Sequence, residues 1–244
     1  MKTGFRPLPV LLLMAVGIVS FGAGNAEEPA TNPAVKPVDP SFIPVADDPN
    51  LPRVLIIGDS ISMGYTIPVR EMLKGKANVH RPPVNCGDTA RGLTNLGKWL
   101  QTDGSDKWAV IHFNFGLHDL KYMVGNKYVN PPEGKQVAPT ETYEKNLREL
   151  VAQLQKTGAK LIWASTTPVP DGTVGRVKDE EQKYNVVAEE VMKENGIPID
   201  DLWAIAHKDQ TKIQRPHNVH YTDAGWKELG ESVAKSIEAA LDSK

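Results

Sequence analysis

From residue 53 onward, short unbroken apolar runs alternate with stretches whose apolar residues recur every three or four positions. "RVLIIGD" at 53–59, a weaker "NVHRPP" at 78–83, "WAVIHFNFG" at 108–116, "KLIWAST" at 160–166 and "IPIDDLW" at 197–203 read as strands. The clearest helical pattern covers 140–158. There Tyr143, Leu147, Leu150, Val151 and Leu154 share one face, and Gly158 offers a left-handed stop. Segments 91–101, 178–195 and 222–242 follow the same period. A strand that is apolar at every position is buried on both faces. The pattern therefore predicts an α/β fold: a five-stranded parallel sheet covered by helices on each side, in three α/β/α layers. In such sheets ligands bind at the carboxyl ends of the strands.

The first 26 residues stand apart. Lys2 and Arg6 precede an apolar core, "LPVLLLMAVGIVSF", and the small residues "GNA" precede "EE". This reads as a secretory signal cleaved after Ala26, too short to span a bilayer at about 20 residues. A secreted or periplasmic bacterial protein is expected, with no membrane association after cleavage. Residues 27–52 hold seven prolines and read as an extended, poorly ordered linker before a domain at 53–244. The formal net charge is −2, and −4 once Lys2 and Arg6 are removed. That mild acidity offers no footprint for nucleic acid. The single cysteine, Cys86, forbids an internal disulfide and reads as a small buried hydrophobe. No feature of the sequence speaks to oligomeric state.

Chemistry-bearing residues gather at the predicted strand ends. The first strand runs into "GDSIS", which carries Ser60. "NCGDTARG" follows the second strand. "FGLHDL" ends the third with Gly116, His118 and Asp119. "RPHNVHYTDAGW" places His217 and His220 just before the last helix, with Thr222 as its expected N-cap. A serine attacks only with a base in hydrogen-bond reach and donors for the developing oxyanion.

These four blocks, in this order over roughly residues 53–240, resemble the SGNH (GDSL-type) hydrolase family. "GDSIS" matches its nucleophile block and "NCGDT" its glycine block. "GLHD" stands at its Gly-x-Asn-Asp block, and "HNVH" at its Asp-x-x-His block. The resemblance implies a flavodoxin-like fold and ester hydrolysis through an acyl-enzyme, with no cofactor and no metal. It implies Ser60 as nucleophile and His220 as general base. The oxyanion hole would be the backbone N–H groups of Ser60 and Gly87 with His118, which replaces the family's asparagine. His217 falls at the acid position, where its backbone carbonyl is the expected acceptor for the His220 Nδ1 proton. The expected substrate is a small ester, chiefly an acetyl ester of a carbohydrate or a related small alcohol, and the export signal and polar rim loops favour the short acyl chain.

Plainer readings stand beside these. Ser60 could simply cap a helix, and Asp59 and Asp119 could only tie turns. His112, on an apolar strand, reads as a satisfied core histidine. Asn114 is a weaker stand-in for the missing asparagine. Residues 121–138 form a long loop over the rim, from which Tyr122, Tyr128 and Asn130 could meet a sugar, with Trp226 bordering the site. Two rival functions remain. One is a non-catalytic carbohydrate-binding module on the same fold. The other is a metal-dependent phosphoesterase using Asp59, His118, Asp119, His217 and His220, which lacks the Asp-x-His pair expected after its first strand.

Overall fold

The computed structural model describes residues 38–105 and 107–243, together with Met1 and Gly4. The expected signal segment (apart from those two residues) and residues 27–37 of the expected linker lie outside the described residues. Residues Val38–Lys244 form one compact unit.

Its elements are β1 (Arg53–Ile57), α1 (Ser60–Met72), β2 (Asn78–His80), α2 (Thr89–Trp99), β3 (Val110–Phe113), β4 (Tyr122–Val124), β5 (Lys127–Tyr128), β6 (Lys135–Gln136), α3 (Thr140–Gln155), β7 (Lys160–Ala164), α4 (Glu181–Glu194), β8 (Ile199–Asp200), α5 (Leu202–Lys208), α6 (Gln210–Ile213) and α7 (Asp223–Asp242). The main sheet has the order β2-β1-β3-β7-β8 with every pair parallel. Helices α1 and α7 pack together on one face, while α3 packs against α2 and α4 on the other. Val54–Ile57 and Val110–Phe113 are buried throughout, as a strand covered on both faces must be. The predicted three-layer sandwich is the observed fold. The strand order reverses between β1 and β3, the place where open α/β sheets leave a crevice.

Helix α3 shows why the 140–158 pattern was readable. Tyr143, Leu147, Leu150, Val151 and Leu154 are its buried residues, and Gly158 takes φ +73° just past its end. His112 is buried, and its Nε2 lies 3.0 Å from Asp200 Oδ2, whose other oxygen accepts from Ser232 Oγ at 2.6 Å. It is a core histidine with a partner.

Three expectations change. The fifth strand keeps only Ile199–Asp200, because Asp201 caps α5 through the Ala204 N–H at 3.1 Å and turns the chain into a helix. Residues 121–138 are not a structureless loop. They form the antiparallel sheet β5-β4-β6, whose strands of two or three residues are too short to show a period. The Tyr122 N–H donates to Gly175 O at 2.8 Å, and Asn130 Oδ1 accepts the Gly175 N–H at 2.9 Å. Third, the part of the proline-rich stretch from residue 38 onward is held by named contacts. Asp47 Oδ1 meets the buried His80 Nε2 at 2.6 Å, and Asn78 Nδ2 donates to Asp48 O and Leu51 O.

The α1–α7 contact depends on missing side chains. A Cβ on Gly64 would lie 2.5 Å from the Trp226 ring, and one on Gly230 would lie 2.7 Å from Pro68 Cβ. Gly64→Ala should therefore lower stability by about 1–3 kcal/mol through overpacking. Gly97→Ala, in α2 with open space around it, should instead be neutral or stabilising by about 0.5–1 kcal/mol. Thermal unfolding of the two variants checks this; equal melting shifts would contradict the close approach.

Candidate active site

Ser60 is the first residue of α1, at the carboxyl end of β1. Its neighbour Asp59 takes the N-cap, accepting the Ile61 N–H at 2.9 Å. The cap reading therefore belongs to Asp59, and the Ser60 hydroxyl points elsewhere. Burial raises the Asp59 carboxyl above its usual range, with the Ile61 N–H and the charges of Arg176, Arg81 and Lys121 acting against that rise. Beneath the turn lies Arg81, buried. It donates to Gly58 O at 3.3 Å, Val84 O at 3.1 Å and Ser62 Oγ at 3.0 Å. One guanidinium thereby fastens the serine turn to Val84, the residue that leads into the "NCGDT" turn.

The Ser60 hydroxyl meets His220 Nε2 at 2.8 Å across 160 residues of chain. His220 sits on a closed loop. Arg215 N–H donates to His220 O, Thr222 N–H donates to Ile213 O, and Thr222 Oγ1 caps α7 at the Gly225 N–H. Asn218 decides which ring nitrogen of His220 carries the proton. Its Oδ1 accepts the backbone N–H of His220 at 3.0 Å and lies 2.8 Å from His220 Nδ1. A backbone N–H can only donate, so the amide oxygen must face it. Nδ1 must then be the protonated nitrogen, which leaves the Nε2 lone pair on the Ser60 hydroxyl. Burial lowers the His220 pKa, and the charges of Arg215 and Arg176 lower it further, so the ring is held neutral.

His217 does not fill the position expected of it. It is exposed at φ +53°, and its Nδ1 contacts the Asp171 carbonyl at 2.7 Å. The Nδ1 proton of His220 already has its acceptor in Asn218, so no place is left for the His217 carbonyl. Asp119 is buried, with Oδ1 accepting from the Thr89 N–H at 3.0 Å and the Thr89 hydroxyl at 2.5 Å. Burial pushes its pKa up to about 7, against the pull of those two bonds. Asp223 is exposed in the first turn of α7. Neither aspartate bonds His220.

The expected oxyanion donors divide. The Ser60 N–H has no partner among the described residues. The Gly87 N–H, at φ +72°, donates to Asn85 Oδ1 at 3.0 Å and is engaged in this state. His118 Nδ1 lies 3.2 Å from Lys121 Nζ and accepts from it. Burial first, then the charges of Lys121, Arg176 and Arg91, bring its pKa down to about 3. It is a neutral ring with Nδ1 as acceptor, so its Nε2 carries the hydrogen and is a donor. Asn114 is turned away from that role, because its Nδ2 donates to Ala164 O at 2.7 Å and to Thr166 Oγ1 at 3.4 Å.

Of the expected substrate contacts, Trp226 borders the base, with ring centroids 6.4 Å apart. Tyr128 is exposed on the rim. Tyr122 is half-buried, its hydroxyl 3.5 Å from Glu180 Oε1, and Asn130 ties the small sheet to Gly175. Cys86 is buried, and that burial pushes its thiol up to about 11. Among the described residues, no three His, Cys, Asp or Glu side chains converge as a metal site. The five that a metal reading would use are spread over the separate partners above.

Sequence reasoning passed over Asn218, Arg81, Lys121 and Arg176. Asn218 had a local signal, since an asparagine bonding the backbone N–H two residues on is an Asx turn. Arg81 and Arg176 had none, because they reach partners in other segments, and Lys121, though only three residues from His118, carried no pattern that marked it as its donor.

Residues 56–227 match the model of the GDSL-like Lipase/Acylhydrolase family. No curated protein sequence matches the chain. Similar solved structures include a lipase/acylhydrolase from Enterococcus faecalis, at 18% identity and TM-score 0.64, covering 79% of this chain and 98% of that one. The acetyl xylan esterase AlAXEase aligns at 16% identity and TM-score 0.60, over 76% of this chain and 99% of that one. Axe2, an acetylxylan esterase from Geobacillus stearothermophilus, aligns at 16% and 0.61, over 79% and 95%. At these identities the likeness speaks for the fold.

His220 should titrate below the ordinary histidine value of about 6.5. In Asn218→Asp a carboxylate beside Nδ1 favours the charged ring, so the midpoint should rise. An NMR titration of the imidazole reads both values. A midpoint unmoved by Asn218→Asp would break the link between these side chains.

Proposed function

The chain belongs to the GDSL-like lipase/acylhydrolase family, and on that premise we propose that it is an exported serine esterase removing short acyl groups, chiefly acetyl, from carbohydrate. The observation that carries this reading is the Ser60 hydroxyl 2.8 Å from His220 Nε2, with Nδ1 held by Asn218. Ser60 Oγ attacks the ester carbonyl as Nε2 takes its proton. The oxyanion is met by the Ser60 N–H and by Nε2–H of His118, with the Gly87 N–H joining once Asn85 lets go. His220 then returns the proton to the leaving alcohol. Water repeats the sequence on the acyl-enzyme, releasing the acid and restoring Ser60.

Asn218 orients the base without adding charge, so the imidazolium formed in each step is stabilised less than beside a carboxylate. The lowered His220 pKa favours the neutral form of the ring, the form that acts as base. The acetyl preference is supported by where the roomy clefts lie. Those of about 630 and 900 Å³ are at the amino ends of the strands, around Lys160 and Arg53, opposite Ser60. Export is supported by the character of residues 1–26.

The test is kcat/KM on p-nitrophenyl acetate, butyrate and octanoate. Acetate should be the best substrate. Ser60→Ala and His220→Ala should each lose at least about 10⁴-fold. Asn218→Ala should lose about 10- to 100-fold, the worth of a hydrogen bond to a group that becomes charged. His217→Ala should stay within about threefold, since its ring bonds only the Asp171 carbonyl. Retention of a tenth of the activity in Ser60→Ala would remove the serine as nucleophile.

The rate on acetate should rise with pH through a midpoint below about 6.5, because only the neutral base works and burial with Arg215 and Arg176 lowers its pKa. A midpoint clearly above that value would contradict the electrostatics of the site.

A further inference from the structure

The chain as a whole is slightly acidic, with 28 Lys and Arg against 30 Asp and Glu. The rim around Ser60 and His220 is not. Lys121 and Arg176 reach it from the small sheet and the 171–178 loop, Arg91 from the start of α2, and Arg215 from the loop that carries His220. None of the four has a carboxylate within ion-pair distance among the described residues.

Arg176 is the most telling. It is half-buried, and burial pulls its guanidinium below the usual range. Only Nε has a partner, donating to Leu117 O at 3.0 Å. Its two terminal nitrogens, the pair that would grip an oxyanion side by side, bond nothing among the described residues. Lys121 stands beside it. Lys121 Nζ lies 5.3 Å and Arg176 Cζ 5.9 Å from the same exposed ring, Tyr128. Next to the base loop runs a cleft of about 320 Å³ whose lining includes Lys178, Arg215 and His217, with Asp171 its sole carboxylate. A partly desolvated arginine with no carboxylate in ion-pair contact, feeling the Asp59 carboxyl only at longer range and backed by a lysine and an aromatic face, is poorly arranged for a neutral sugar. It suits a sugar that brings the missing negative charge.

We propose that the esterase acts on an acidic carbohydrate, with Arg176 and Lys121 gripping a carboxylate or sulfate on the sugar that bears the ester or its neighbour, and Arg215 extending the positive surface along the cleft. This inference rests on the esterase reading, so its test includes a readout that does not need turnover. Binding of trigalacturonate, a sulfated galactan trisaccharide and xylotriose to the Ser60→Ala protein is measured by calorimetry. At least one acidic probe should bind about tenfold or more tighter than xylotriose, and which one separates carboxylate from sulfate. That advantage should shrink as salt rises from about 50 to 500 mM, since partly exposed charges are screened. It should be lost in Arg176→Gln and partly restored in Arg176→Lys. Equal or weaker binding of both acidic probes, or an advantage unchanged in Arg176→Gln, overturns the proposal.

With the unmodified chain, kcat/KM is compared on acetylated polygalacturonate and acetylated xylan. A preference for the acidic polymer that falls at least about tenfold in Arg176→Gln supports the proposal. Equal rates on both polymers, with p-nitrophenyl acetate still cleaved, overturn it and leave the esterase standing. Failure to cleave any of the three esters removes the esterase reading itself. Acidic-probe binding that depends on Arg176 would then survive as a property of the site.

Discussion

Ser60 and His220 meet because two helices touch with almost nothing between them. Gly64 on α1 leaves room for the Trp226 ring, and Gly230 on α7 leaves room for Pro68. Ser60 begins α1 and His220 precedes α7, so the helix contact sets the distance between the hydroxyl and the ring. A side chain at either glycine would push the helices apart, and a shift of an ångström is enough to break a 2.8 Å bond. The sheet supplies the fixed floor. The buried runs of β1 and β3 place the two turns of the rim side by side, and Arg81 fastens the turn after β1 to the turn after β2.

Above that frame a chain of donors and acceptors sets protonation. The His220 backbone N–H orients the Asn218 amide, the amide fixes the proton on Nδ1, and the lone pair is left facing Ser60. His118 is set by the same logic from a different donor, since Lys121 occupies its Nδ1. Two histidines at one site therefore take opposite tautomers, one with Nε2 as acceptor toward the serine and the other with Nε2 as donor. Both are held neutral, His118 to a pKa of about 3, by burial and by the cations around them.

Those cations connect the chemistry with recognition. Arg176 helps to keep both imidazoles uncharged and Lys121 helps to keep His118 so, and neither cation has a carboxylate in ion-pair contact among the described residues. The small sheet β5-β4-β6 and the 171–178 loop, bound to each other through Gly175, hold both residues at the rim. Tyr128 lies against both, so an exposed aromatic ring and the two cations form one surface.

The layers of the fold, the strand ends as the site, and the identities of Ser60, His220, His118 and Trp226 as rim residues were all legible in the sequence. The layers and the strand ends rest on local signals, namely unbroken apolar runs, a helical period and small turns, while the site residues came with the resemblance to the SGNH family. His217 and Asn218 show where that reading stopped. The resemblance to the SGNH family's Asp-x-x-His block pointed to position 217 as the acceptor for the base. The tertiary structure gave that task to Asn218, because the loop closed by Arg215 and Thr222 turns the His217 ring outward to the Asp171 carbonyl. The small sheet was hidden because its strands are shorter than any period. The positive rim was hidden because Arg91, Lys121, Arg176 and Arg215 are scattered along an acidic chain and become one field only when four segments converge. A sequence determines what each segment can bury and where it must turn. Which proton acceptor faces a ring nitrogen, and which charges go unmatched, is decided by contacts between segments far apart in the chain.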